Sequence, residues 1–80
     1  MTTEDRQPTP GDRLRSARIK AGLSQADAAA RMPGKVTSQY WSDVENNRRR
    51  PSLEWLWEAA RALGCNPHHL DERLASKRFR

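Results

Sequence analysis

Cys65, His68 and His69 lie close together in the chain, with Asp71 and Glu72 just beyond them. Thiolate, imidazole and carboxylate are the side chains that bind zinc, and a thiol beside an imidazole is the usual start of nucleophilic catalysis. The spacing suits neither use. Neighbouring histidines on a helix point about 100° apart, and this order of ligands matches no zinc pattern. A nucleophile would also need a group to orient the histidine and donors for an oxyanion, and the sequence implies neither. No glycine-rich phosphate loop occurs. The reading is a protein that is not an enzyme and requires no metal or cofactor.

A second constellation is cationic. Arg48, Arg49 and Arg50 run together ahead of Pro51, in a chain of 80 residues with a net charge of +5. That balance favours an acidic partner, nucleic acid before a membrane surface. Taken alone, three adjacent arginines are equally the mark of a solvated loop. No apolar run approaches the ~18–20 residues that span a bilayer, and the N-terminus lacks the apolar stretch of a signal peptide. Cys65 is the one cysteine and has no internal disulfide partner, which fits a reducing cytoplasm.

Short helices must position these groups. Residues 1–11 hold two prolines and a glycine and read as a disordered tail. Asp12 is the cap candidate for a first helix carrying Leu14, Ala17, Arg18 and Ala21, which Gly22 ends. Ser24 caps a second helix, stopped by Pro33-Gly34. Thr37 caps a third, on which Trp41 and Val44 share a face and which Asn47 ends. A fourth runs from about Ser52 to Leu63, with Leu53, Leu56, Ala60 and Leu63 inward. Asn66-Pro67 opens a fifth through about Leu74. No run alternates polar and apolar residues long enough for a strand. The expected fold is all-α, with a domain over residues 12–75 and a basic tail over 76–80. A chain this short buries only about 60% of its unfolded surface, so each large apolar side chain matters.

Four segments, in order, resemble the phage-repressor and Cro-like helix-turn-helix family, also called the XRE family. They are Gly22-Leu23-Ser24-Gln25, Thr37 through Glu45, Arg49-Arg50-Pro51-Ser52-Leu53 and Leu63-Gly64-Cys65-Asn66-Pro67. The resemblance covers residues 12–74 and implies a five-helix lambda-repressor-like domain. Two departures stand out. The turn Pro33-Gly34-Lys35 before Val36 is two residues longer than the family's, an insertion of small free-energy cost. Ala28 stands where the family has a large aliphatic and Trp41 where it has isoleucine or valine, a volume-conserving exchange if the two meet.

The resemblance implies that the third helix lies in the major groove and reads bases with Ser38, Gln39, Tyr40 and Asp43. Gln39 suits the N6 and N7 edge of adenine, because an amide donates and accepts at once. Asp43 is an acceptor for cytosine N4 or else a solvated charge, and Tyr40 touches DNA or packs over the turn. Phosphate contacts are implied for Gln25, Lys35, Asn46, Arg48 and Arg49, whereas Arg50 precedes proline and can fold back onto the domain. Arg18 and Glu45 match a family ion pair that ties the third helix to the first.

Trp55 falls off the apolar stripe of its helix. With Leu70 and Leu74 it is a candidate dimer surface, the alternative being that it lies against its own chain. The function implied is that of a transcriptional repressor binding a palindromic operator in double-stranded DNA as a homodimer. The alternative is a protein-interaction module, an antitoxin or coactivator with a protein partner. No sensor domain is expected beside a DNA-binding domain in these 80 residues.

Overall fold

Thr9, not Asp12, starts the first helix. The computed structural model describes residues 9–71, 73 and 74, and in it α1 spans Pro10–Lys20. The Thr9 hydroxyl accepts from the Asp12 backbone N–H at 3.1 Å, and the Asp12 carboxylate accepts from the Thr9 N–H at 3.1 Å. This reciprocal capping box satisfies two backbone donors that a helix start otherwise leaves open, and Pro10 occupies a first-turn position that needs no donor. The folded domain thus begins before the expected boundary at residue 12. Residues 1–8 of the expected tail and residues 76–80 lie outside the described residues.

Three further helices follow: α2 over Gln25–Ala30, α3 over Ser38–Glu45 and α4 over Leu53–Leu63. Ser24, Thr37 and Ser52 each accept a backbone N–H as N-cap, at 3.0 Å in every case. α2 ends at Ala30, before Pro33-Gly34, and Met32 beyond it turns back into the core. α3 is closed by Asn47, which takes a left-handed φ of 62°, a conformation asparagine tolerates better than most residues.

The expected fifth helix does not form among the described residues. In its place stands a 3-10 turn over Pro67–His69, and Asn66 makes no side-chain cap. Three residues provide too few backbone bonds to sustain an α-helix, and Leu70 and Leu74 are held by burial instead. The described fold is all-α with four α-helices.

Trp41, Leu14, Leu56, Leu70 and Val44 are the largest fully buried side chains. Ala28 and Trp41 are both wholly buried in one cluster, as a small-for-large exchange requires. The α1 backbone approaches the end of α3 so closely that a Cβ on Gly11 would lie 2.5 Å from the Glu45 carbonyl oxygen and 2.6 Å from that of Val44. Gly11 is buried, so it belongs to the packed domain and not to the tail in which composition places it.

Candidate nucleic-acid interface

α3 buries Trp41, Val44 and Glu45 and turns its other side outward. Ser38, Gln39 and Asn46 are exposed, while Tyr40, Ser42 and Asp43 are half-buried. Lys35 before the helix and Arg48, Arg49 and Arg50 after it are all exposed. A polar helical face is therefore flanked at both ends by cations.

Glu45 ties this helix to the rest of the molecule. Its carboxylate accepts from Arg18 Nε at 2.6 Å and Arg18 Nη2 at 3.2 Å, so the guanidinium bonds both oxygens. It accepts as well from Gln25 Nε2 at 3.0 Å and from the buried Trp41 Nε1–H at 2.7 Å. Arg18 also donates to the Leu23 carbonyl at 2.8 Å. Burial alone would push the Glu45 carboxyl up, but the hydrogen bonds from Arg18, Gln25 and Trp41 outweigh it and hold the group below its ordinary range. One carboxylate thus joins α1, the start of α2 and α3. The sequence suggests Arg18 as partner and gives no sign of the other two. Gln25, expected at a phosphate, has its amide nitrogen committed to Glu45.

The outward residues are connected in turn. Gln39 Nε2 donates to Asp43 Oδ1 at 3.0 Å. Arg49 Nε lies 3.6 Å from Asp43 Oδ2, and its guanidinium sits over the Tyr40 ring, 5.6 Å from the centroid. Asn46 Nδ2 donates to the Ser42 carbonyl at 2.9 Å, and Asn47 Nδ2 donates to Thr9 Oγ1 at 3.0 Å. Ser42 shares this face, although the sequence pattern gives it no base-reading role. Its short hydroxyl, one turn beyond Ser38, is the signal that could have found it.

The expected dimer surface meets side chains already in use. Leu70 is 0% and Leu74 4% exposed within the single chain. Trp55 is half-buried, its ring 5.4 Å from that of Trp41 and 5.5 Å from that of Tyr40. It lies against its own chain, its ring carrying α4 onto the Tyr40 and Trp41 rings of α3. His68 and His69 stack edge to face at 4.6 Å, and burial pushes the Cys65 thiol up, away from the thiolate form that a nucleophile needs.

A family described as a helix-turn-helix domain matches residues 11–73. The chain belongs to that helix-turn-helix family. Its fold is similar to the crystal structure of a hypothetical transcription factor, NHTF, from Neisseria. The two share 26% identity over 96% of this chain and 91% of that one, with a TM-score of 0.71. No curated protein matches. Within the matched residues, α2 and α3 are consecutive helices joined by residues 31–37. Among the described residues, no helix is long and apolar enough to cross a membrane.

Proposed function

We propose that the protein is a sequence-specific regulator that binds double-stranded DNA by laying α3 in the major groove, in the manner of a repressor occupying its operator. The observation that carries this reading is the outward face of α3. Ser38 and Gln39 are exposed at its N-terminal end, the end with which such a helix reaches base edges. Cations stand on both flanks, and the helix is braced from behind by Glu45. Gln39 is the principal reader, suited to adenine, with Ser38 beside it. Lys35, Asn46 and Arg48 hold phosphates. Gln25 serves through its helix-start position, its side chain being occupied by Glu45.

A single domain of this size reads few base pairs, so adequate specificity calls for two copies on a palindrome with half-sites about one helical turn apart. The dimer contact must then use surface other than Leu70 and Leu74, which the chain has buried. The half-buried Trp55 weakens equally its use in a dimer contact and in the rival reading, a module for a protein partner, which also rests on the basic tail outside the described residues. Selection from random duplex DNA tests the proposal. Enrichment of a palindrome with half-site centres about 10–11 base pairs apart supports it. Weak, unselective and steeply salt-dependent binding overturns it.

A further inference from the structure

We infer that Asp43 is a specificity-positioning residue that fixes which way round the Gln39 amide is presented, and that Arg49 and Tyr40 hold Asp43 in place for that purpose. The inference rests on the reading of α3 as the DNA-contacting helix, and it assigns Asp43, Arg49 and Tyr40 roles other than base or phosphate contact.

A carboxylate has acceptors only, so the side of the Gln39 amide that faces Asp43 must be its NH2 group. The contact is 3.0 Å, one turn apart on the helix. The nitrogen is thereby held on the Asp43 side and the carbonyl oxygen on the other. Asp43 uses one amide hydrogen, which leaves the second hydrogen and the oxygen for a base. That pair in a defined order matches adenine, whose N7 accepts and whose N6 donates. Guanine presents two acceptors, N7 and O6, on the same edge, so in either orientation the amide makes one bond there and sets its oxygen against the other acceptor, whereas adenine is served by one orientation alone.

Asp43 is itself held. Its side chain is 17% exposed although it lies on the outward face, and the exposed Arg49 side chain approaches its other oxygen at 3.6 Å. Arg49 in turn lies over Tyr40, Tyr40 meets Trp55 edge to face, and Trp55 packs on the fully buried Trp41. A continuous set of contacts therefore runs from the core through α4 to the reading residue. The same arrangement offsets a negative charge that would otherwise face phosphates unscreened. Such support behind a contact residue is what keeps it in one productive geometry.

Asp43→Asn tests the inference with little change of shape. Asparagine offers Gln39 either a donor or an acceptor, so the amide is released from its single orientation. Operators are selected for the wild type, Asp43→Asn, Arg49→Gln and Gln39→Ala, and affinities are compared for adenine and guanine at the base pair that loses its preference in Gln39→Ala. Asp43→Asn is expected to lower the adenine-over-guanine preference about threefold, through weaker binding of the adenine site, because the reversed amide fails on adenine and does as well on guanine as before. Arg49→Gln is expected to lower the same ratio. If Gln39→Ala relaxes one position while Asp43→Asn keeps the wild-type ratio there, the positioning role is overturned and the reading of α3 stands. If Gln39→Ala relaxes no position, the reading of Gln39 itself has failed, and the role of Asp43 falls with it.

Discussion

Glu45 shows how much one side chain can carry in a domain this small. It is 6% exposed and accepts four hydrogen bonds, from Arg18 twice, Gln25 and Trp41. Glu45→Gln keeps the shape but removes the charge opposite a largely buried guanidinium. We expect a loss of about 2–4 kcal/mol in urea unfolding, since breaking a buried pair leaves its partner uncompensated. Acid should reveal the same group. Burial raises the Glu45 carboxyl, its hydrogen bonds lower it further, and the folded value ends below the ordinary 4.5. A depressed folded value means that the group's contribution is complete above about 4.5 and is lost as pH falls through the folded value. Asp71, held below 3.8 chiefly by its hydrogen bond to Arg73, adds a loss of the same sign at lower pH. Melting temperature should therefore fall below about pH 4.5 in the wild type and fall less over that window in Glu45→Gln. Equal slopes would remove Glu45 from the acid response. The Arg18–Glu45 pair is legible in the sequence because both residues match a family pattern. The bonds from Gln25 and Trp41 are not, since they depend on how α2 and α3 cross.

At the scale of elements, helix starts are readable because capping is local. Ser24, Thr37 and Ser52 sit just ahead of their helices and act through atoms three residues away. The same chemistry is hidden at Thr9, where two prolines make the segment look like a tail although Thr9 and Asp12 have capping-box spacing. Thr9 has a second duty, accepting from Asn47 at the end of α3. Thr9→Ala should cost about 1 kcal/mol, measured by thermal unfolding. Gly11→Ala should destabilise as well, through about 1–3 kcal/mol of overpacking. The added methyl would meet the Glu45 and Val44 carbonyls, which belong to the backbone and cannot swing aside. The ~1 kcal/mol that alanine gains over glycine in a helix opposes this without reversing it. A Gly11→Ala protein as stable as the wild type would mean that α1 and α3 are not packed in this way. The expected fifth helix has the opposite lesson. Asn66-Pro67 reads as a start, yet a start signal does not supply the turns that must follow.

For the molecule as a whole, a net charge of +5 and the basic flanks of α3 predict binding that weakens with salt. Removing one phosphate-binding cation should flatten the logarithmic salt dependence by about one unit. Arg48→Ala is expected to weaken operator and random DNA alike with that change of slope, whereas Gln39→Ala should weaken the operator selectively. Sedimentation of the protein alone and with a palindromic duplex would give the stoichiometry, two chains per duplex being the expected result. By itself the sequence determined the helical class, the caps of two helices, the buried face of α3 and the cationic balance, because all of these follow from composition or from neighbours within a turn. Tertiary structure alone decided that Gly11 is a contact point, that Leu70 and Leu74 are buried within the chain with Trp55 half-buried against Trp41 and Tyr40, and that Glu45 joins three helices. It also decided that Asp43 is braced by Arg49 against Gln39. These depend on residues distant in sequence meeting at fixed distances, and periodicity along one helix carries no information about which side chain of another will fill the space beside it.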